Sequence, residues 1–251
     1  MQDKKSEIMT RIVLTTIILG LFTSFLQAQG YAFGVKGGLT IGVQQWEGFE
    51  QDPLFKYHGI AFIESLPEDN QFALFAQLGY HLKGSAFRSR NAFGLNGNVF
   101  RAPAQEFIFR NLSLVLGAKQ KFDLFNNDSR AYYLLGIRGD YNLSTNLDEY
   151  KDANMVYPIY PDDSKELIRE ITYGVSLGGG IEFPFSELAG ALIEFTINPD
   201  FSYQYEQPSA TVFVNNQFFT GNVNIPERKI RNLTFELTVG FRFLNKIEYI
   251  D

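Results

Sequence analysis

The chain contains no cysteine among its 251 residues, so disulfide bonds and thiolate metal sites are both excluded. Basic residues are outnumbered, because 22 lysines and arginines face 28 acidic residues and the formal net charge is −6. A nucleic-acid-binding protein carries a basic face, so this balance argues against nucleic acid as a partner. The acidic pair Asp162-Asp163 lacks the spaced ligands and the glycine of a calcium loop, and we expect neither a metal nor a cofactor.

Long apolar runs are also scarce. One uncharged apolar run occupies residues 12–27, and no later segment reaches the roughly 20 residues of a membrane helix. The run follows Lys4, Lys5 and Arg11 and is followed by the small residue Ala28, which is the layout of a secretory signal peptide. We therefore expect a cleaved signal peptide at residues 1–28 and one mature domain at residues 29–251. The alternative is an uncleaved N-terminal anchor.

Aromatic residues and glycine are abundant, and 25 Phe, 13 Tyr and 22 Gly favour β-strands and tight turns over helices. The clearest strand lies at residues 233–243, where every odd position is large and apolar and every even position is small, polar or charged. Side chains of a strand alternate between its two faces. This segment therefore has one apolar face and one face that carries Glu236 and Arg242.

Seven further runs of this kind precede it, at residues 31–43, 55–65, 72–83, 108–122, 131–143, 171–183 and 191–205. The run at 55–65 is apolar on both parities, so its facing stays open, because a slip of one residue inverts a strand. The connections between the runs alternate between long and short. The long ones span residues 44–54, 84–105, 144–168 and 206–229.

Alternating long and short connections are typical of an outer-membrane barrel, whereas a Greek-key sandwich has no reason for them. Aromatic residues also gather at the ends of the apolar faces, as in the two girdles of a membrane barrel. We predict an all-β protein, an eight-stranded antiparallel up-and-down transmembrane β-barrel in the cell outer membrane. Both termini should be periplasmic, and the first and last strands should pair and leave no free edge.

Three segments resemble the PorT-like outer-membrane β-barrel proteins of Gram-negative bacteria. They are Phe33–Leu39 in the first run, Gln77–Tyr80 followed by Lys83-Gly84 in the third, and Asn111–Leu114 in the fourth. The family usually has an acidic residue in place of Gln77 and a proline in the last segment. The resemblance implies a role in the cell envelope, because PorT itself is associated with a protein secretion system.

The interior of the predicted barrel is crowded, because eight strands enclose a space that side chains just fill. An isolated charge in such a space is costly, so opposite charges should pair. We interpret the inward charges as a structural plug, which we call the lumen charge network, and the alternative is a conducting pore or a proton path. The network consists of Lys36, Lys119, Lys121, Arg138, Asp140, Glu182, Glu194, Glu236 and Arg242.

Few residues of the chain point to catalysis. The chain has two histidines, His58 and His81, which we expect near the outer ends of neighbouring strands. Outer-membrane lipid hydrolases and acyltransferases typically use a histidine with a serine and a carboxylate, but neither histidine lies in a recognisable nucleophile motif. We assign no catalytic residue and expect a protein that is not an enzyme.

The external loops carry the remaining signals. Loop 84–105 contains Arg88, Arg90 and Arg101 and no acid, whereas loop 144–168 is acidic. The two loops either pair across the barrel mouth or are separately solvated. In loop 206–229, two apolar runs flank Asn215-Asn216 and predict a hairpin, which either projects from the membrane or folds over the mouth. Its apolar side chains form a candidate partner loop, consisting of Val212, Phe213, Val214, Phe218 and Phe219.

These observations favour a non-enzymatic outer-membrane barrel with a filled lumen and a structural or secretion-associated role in the envelope. A barrel that binds an external ligand or partner through its long loops is the second reading, and a soluble β-barrel that carries an apolar ligand is the third. The expected partners are outer-membrane lipid, the barrel-assembly machinery during insertion, and envelope or secretion-system proteins.

Overall fold

The computed structural model describes residues 30–46, 51–66, 71–88, 92–93, 98–100, 104–124, 129–156, 158, 160–217 and 219–246. The expected signal peptide at 1–28 lies outside the described residues. Within these ranges, no helix is long and apolar enough to cross a membrane.

Strands dominate the described chain, as its aromatic and alternating sequence predicts. In chain order the elements are β1 (Gly30–Gln45), β2 (Asp52–Ser65), β3 (Phe72–Phe87), β4 (Ala92–Phe93), β5 (Val99–Phe100), β6 (Gln105–Asp123), β7 (Arg130–Thr145), a 3₁₀-helix (Leu147–Tyr150), α1 (Lys151–Val156), β8 (Ile171–Pro184), β9 (Ala189–Pro199), β10 (Tyr205–Gln207), β11 (Ala210–Asn215), β12 (Thr220–Ile225) and β13 (Arg228–Lys246).

Eight strands form a closed antiparallel barrel in the order β1-β2-β3-β6-β7-β8-β9-β13, and β13 pairs with β1. The closing ladder runs from Gly30 opposite Lys246 to Gln45 opposite Arg231. This confirms the predicted eight-stranded up-and-down fold and the pairing of its first and last strands. The short connections lie at the same end of the barrel as Gly30 and Lys246, which is the periplasmic end in barrels of this type.

The strands extend further at the opposite, external end than the sequence pattern predicts. β3 continues to Phe87, and β6 and β13 begin at Gln105 and Arg228. The first external connection is correspondingly shorter than the predicted 44–54, since only residues 46–51 separate β1 from β2. The barrel wall therefore continues beyond the segments with the clearest alternation.

The predicted seventh strand, 191–205, is wrong at its external end. β9 stops at Pro199, because proline has no N–H for the ladder. Beyond it, the Asp200 N–H donates to the Asn232 carbonyl (3.0 Å) and the Phe201 N–H to the Tyr173 carbonyl (2.8 Å). Tyr205 begins the separate strand β10, which pairs with the external end of β13.

The facing of β2, which the sequence leaves open, is settled by the structure. His58 and Glu64 point into the lumen together with Ile60 and Phe62, whereas Phe55, Tyr57 and Ile63 point outward. The opposite facing would expose a carboxylate and an imidazole to lipid. Phe62 tolerates the polar lumen because its ring lies 5.7 Å from the Lys36 ammonium and 5.4 Å from that of Lys119, within the range of cation–π attraction.

The barrel exterior is an apolar belt. Outward side chains such as Val35, Ile137 and Val239 are 59 %, 64 % and 59 % exposed. Near the periplasmic end the belt is edged by exposed aromatic side chains, namely Tyr31, Phe33, Phe72, Phe122, Tyr133, Phe183, Phe241 and Phe243. Tyr141, Tyr173 and Phe201 are exposed towards the external end. An apolar band with aromatic girdles is the surface of a membrane-spanning barrel, so the protein resides in the outer membrane and the soluble-barrel reading is wrong.

Gly84 occupies a backbone position that favours glycine. Gly84 has a φ of +148°, and a Cβ there would overlap the Phe107 carbonyl oxygen. We expect Gly84→Ala to lower the free energy of unfolding by about 1–3 kcal/mol, because the new side chain is strained in this conformation. Urea unfolding in phospholipid vesicles, followed by the gel mobility of unboiled samples, measures the change. Gly139→Ala is the matched control, since a Cβ at Gly139 meets no atom within 4 Å; equal stability of the two variants would contradict the prediction.

Candidate functional site

The candidate site is the barrel interior, which is built from the inward-facing positions of all eight barrel strands. All nine residues of the lumen charge network lie inside, and none is more than 8 % exposed. Three further buried charges join them, Glu64, Lys83 and Asp200. Lys83 and Asp200 could have been predicted to face inward, because they share the parity of the polar residues in the runs 72–83 and 191–205. Glu64 could not, because the facing of the run at 55–65 was open.

The first group of charges, which we call the inner cluster, lies towards the periplasmic end. Glu64 accepts hydrogen bonds from Lys119 (2.9 Å) and Lys121 (2.6 Å), and Arg242 lies 3.4 Å away. Glu182 pairs with Lys121 (3.1 Å) and with Arg242. Four non-consecutive strands, β2, β6, β8 and β13, contribute these side chains. The cluster holds three cations and two carboxylates and therefore carries one surplus positive charge.

A second, middle pair consists of Lys36 and Glu194, which form a fully buried ion pair. The Tyr132 hydroxyl donates a hydrogen bond to the other oxygen of Glu194 (2.8 Å). The ring of Tyr132 also lies 4.6 Å from the Lys119 ammonium, so this tyrosine connects the middle pair to the inner cluster. Aromatic side chains thus share in satisfying charges that few waters can reach.

The outer cluster joins two cations to two carboxylates. Lys83 donates to Asp140 (2.7 Å) and Asp200 (3.4 Å), and Arg138 donates to Asp140 (3.0 Å) and also pairs with Asp200. The Ser113 hydroxyl donates to the second oxygen of Asp140. This cluster is electrically balanced, and all of its charged side chains are almost completely buried.

The two histidines lie inside the lumen, which corrects the expectation that they are near the outer ends of their strands. β2 begins at Asp52 and β3 ends at Phe87, so His58 and His81 occupy interior positions of longer strands. They are directly opposite each other, and their rings are nearly parallel with centroids 5.4 Å apart. His81 Nδ1 lies 2.7 Å from a Glu236 oxygen.

Hydroxyl groups surround this histidine pair. His58 Nδ1 lies 2.9 Å from the Thr40 hydroxyl, and its Nε2 lies 2.9 Å from the Thr238 hydroxyl. A cavity of about 10 Å³ adjoins His81 and Glu236 and is also lined by Gln77. Such a volume holds about one water molecule.

An apolar cluster closes the external mouth, and we call it the external plug. Phe107, Phe109 and Ile230 face inward from the external ends of β6 and β13 and pack with Leu147 and Tyr205. Around them pack partly buried side chains from the loops, namely Trp46, Tyr150, Tyr160, Leu167 and Ile168.

Polar groups within the plug are satisfied locally. The Tyr205 hydroxyl accepts from the Asp162 N–H (2.9 Å) and lies 2.9 Å from Gln207 Oε1, to which it donates. Burial raises the pKa of Tyr205 to about 12, so the hydroxyl stays a donor at physiological pH. Asn146 accepts from the Ile108 N–H (2.7 Å) and donates to the Glu106 carbonyl (2.8 Å). The loop is thereby fastened to the external end of β6.

Of the two alternatives for loops 84–105 and 144–168, pairing across the barrel mouth does not hold for Arg88. Its guanidinium donates to the Pro53 carbonyl (3.0 Å) and its backbone N–H to Asp52 (3.0 Å), so it contacts the start of β2. In the acidic loop, Lys151 pairs with Asp163 (2.6 Å), and this hydrogen bond raises the pKa of Lys151. Arg90 and Arg101 lie outside the described residues.

The predicted hairpin is present as β11 and β12, with Asn215 opposite Thr220. One of its faces is buried, with Val214, Val223 and Ile225, and the Asn216 side chain donates to the Met155 carbonyl of α1 (3.3 Å). Val212, Phe213 and Phe219 of the candidate partner loop are exposed, whereas Val214 is not. Phe218 lies outside the described residues.

No protein-family model and no curated protein matches the chain. Among solved structures, it is similar to Neisserial surface protein A, with 11 % identity and a TM-score of 0.45 over 85 % of this chain and 96 % of that chain. It is also similar to the outer-membrane protein OprG from Pseudomonas aeruginosa, with 11 % identity and a TM-score of 0.47 over 86 % of this chain and 99 % of that chain. A third similar structure is the outer-membrane protease OmpT from Escherichia coli, with 10 % identity and a TM-score of 0.42 over 87 % of this chain and 98 % of that chain. At these identities the similarity concerns the fold alone.

Proposed function

We propose that this protein is a closed, non-enzymatic barrel with a structural role in the bacterial envelope. The observation that carries the proposal is the filling of the lumen by paired charges. Among the described residues, six lysine and arginine side chains and five carboxylates take part in buried ion pairs, all of them within the barrel. Eight strands leave little space beyond these side chains.

The ion pairs oppose conduction for an energetic reason. A permeating ion would have to separate carboxylates from their cations inside the lumen, and breaking a buried pair costs several kcal/mol because it leaves an uncompensated charge. The external plug adds an apolar layer above these charges. Both features support a structural plug over the alternative of a pore.

The position of the histidines supports a protein without enzymatic activity. His58 and His81 are each 4 % exposed and lie inside the barrel, while a lipid or external substrate would arrive at the belt or the mouth. The resemblance to PorT-like proteins supports a role in the envelope with secretion-system proteins as partners. We further expect contacts with outer-membrane lipid and with the barrel-assembly machinery during insertion.

The hairpin formed by β11 and β12 favours a second candidate function, the binding of an external envelope partner. Phe213 is 63 % exposed and lies in the external part of the chain, outside the lipid-facing belt of the barrel. Exposed apolar side chains on a water-facing surface are candidate interaction sites. Consecutive side chains of a strand point to opposite faces, so Phe213 and the 40 % exposed Val212 are candidate contacts on the two faces of the hairpin.

Planar-bilayer recording tests the closed lumen. We expect no steady discrete channels from the purified wild-type protein, because the paired charges and the external plug block the path. A wide porin inserted into the same bilayers serves as the positive control. Reproducible discrete conductance by the wild-type barrel would overturn the proposal.

The structural role of the charges predicts a large loss of stability for Glu64→Gln. The substitution leaves Lys119, Lys121 and Arg242 with one carboxylate, and breaking a buried pair in this way costs about 3–5 kcal/mol. Urea unfolding in phospholipid vesicles measures the effect. Glu206→Gln, which removes a half-exposed pair with Arg169, is the control and should cost no more than about 1 kcal/mol. Similar losses in both variants would argue against the structural role.

Cross-linking of intact outer membranes tests the hairpin. We expect the double variant Val212→Ser/Phe213→Ser to cross-link to envelope or secretion-system proteins about tenfold less than wild type, since two apolar contacts are lost. The control is Phe185→Ser/Leu188→Ser, which removes two exposed apolar side chains at the opposite end of the barrel. Unboiled gel mobility verifies that both variants fold. Unchanged cross-links in the hairpin variant would eliminate this second function.

A further inference from the structure

The chain contains two histidines, and the fold brings both of them to one carboxylate. His58 and His81 face each other across the β2–β3 ladder. Glu236 comes from β13, the strand on the other side of β1, where it is opposite Thr40. One side-chain ligand atom of each of the three residues lies within 4.8 Å of the others. We propose that His58, His81 and Glu236 bind one divalent transition-metal cation of the Zn²⁺ class inside the lumen, and we call these residues the histidine site.

The donor set matches this class of metal. Two imidazole nitrogens and a carboxylate oxygen form one of the common three-ligand sets for zinc, whereas calcium and magnesium prefer oxygen alone. Ligand distances of 2.0–2.1 Å in a tetrahedral site place donor atoms about 3.3 Å apart. His81 Nδ1 and a Glu236 oxygen are 2.7 Å apart, and the three ligand atoms all lie within 4.8 Å of one another. The three donors are therefore close enough to share one metal ion.

The surrounding hydroxyls are placed as second-shell groups. A metal-bound histidine usually hydrogen-bonds through its other ring nitrogen, which fixes the orientation of the ring. Thr40 and Thr238 contact the two nitrogens of His58 at 2.9 Å each. Whichever nitrogen binds the metal, the other keeps a threonine partner. The Thr196 hydroxyl similarly donates to the second oxygen of Glu236 (3.4 Å).

Local charge also favours a cation at this position. In the part of the chain that the structure describes, every other carboxylate buried in the lumen has a lysine or arginine within salt-bridge distance, whereas Glu236 has only His81 at that distance. The middle pair and the outer cluster are balanced, and the surplus positive charge belongs to the inner cluster. A bound cation would compensate the Glu236 carboxylate directly.

The adjoining cavity offers room for a fourth ligand. It accommodates about one water molecule and is lined by His81, Glu236 and Gln77. The Gln77 side-chain nitrogen is buried and has no hydrogen-bond partner among the described residues. A water oxygen on the metal would accept a hydrogen bond from it. This unpartnered donor is independent of the three ligands and points to an occupant in the same space.

Metal stoichiometry tests the proposal. Untagged protein is refolded from urea into detergent with Zn²⁺, dialysed against metal-free buffer and analysed for bound zinc. We expect about one zinc ion per wild-type chain, and less than about a tenth of that in His58→Gln, His81→Gln and Glu236→Gln, because each substitution removes one of three ligands. Ser176→Ala, which alters the same cavity without touching a ligand, should retain the zinc. A zinc-free wild type, or zinc retained by all three variants, would overturn the site.

A second measurement needs no variant to fold. Since His58 and His81 are the chain's two histidines, nitrogen NMR of protein labelled only with ¹⁵N-histidine reports the site directly. We expect Zn²⁺ to shift imidazole nitrogens of both residues at one equivalent, with Mg²⁺ as the inactive control. Histidine signals that respond to pH but not to Zn²⁺ would show a titrating pair in place of a metal site and refute the proposal.

Discussion

The structure depends on one constraint, which is that charges inside a narrow barrel must be paired by residues from other strands. Lys36 and Glu194 are separated by 158 positions in sequence, yet each is the direct partner of the other. The inner cluster joins β2, β6, β8 and β13, and no two of these strands are neighbours in the ring. Backbone hydrogen bonds connect each strand only to its two neighbours, so the ion pairs add the contacts that cross the barrel. They also fix the register, because a slip of one residue would place these charges in lipid.

The two ends of the lumen are stabilised by different physical effects. Within the membrane the exterior is as apolar as the lipid, so burying apolar groups in the lumen has no advantage over exposing them to lipid. Paired charges can occupy the interior there without competing against a hydrophobic effect. Above the membrane, water returns on the outside, and burial of apolar surface is again favourable. The external plug of Phe107, Phe109 and Ile230 lies at this level, where the same strands continue beyond the belt.

Much of the fold can be predicted from the sequence, because the alternation of apolar and polar residues along a strand can be read within that strand alone. Alternation predicted eight strands, their closure and the inward parity of residues such as Arg138 and Glu236. It failed where the signal was ambiguous or irregular: β2 is apolar on both parities, and Pro199 ends β9 within an otherwise regular run. The sequence also does not predict which lysine or arginine pairs with which carboxylate in the lumen. Whether Lys119 meets Glu64 or Glu182 depends on strand tilt and stagger around the closed ring, which are properties of the whole barrel.

Glu236 differs from the other buried carboxylates of the lumen in the type of partner that it contacts. Glu64, Asp140, Glu182, Glu194 and Asp200 each contact a lysine or an arginine, which suits a role in cross-linking strands. A lysine in place of His81 would give Glu236 the same kind of partner. Instead the chain puts both of its histidines beside this acid and surrounds them with hydroxyls that can donate or accept. The imidazoles and hydroxyls hold the Glu236 carboxylate less strongly than a lysine would, but they can reorient around a bound cation. The chemistry of this part of the lumen is therefore that of a ligand site within a structural plug.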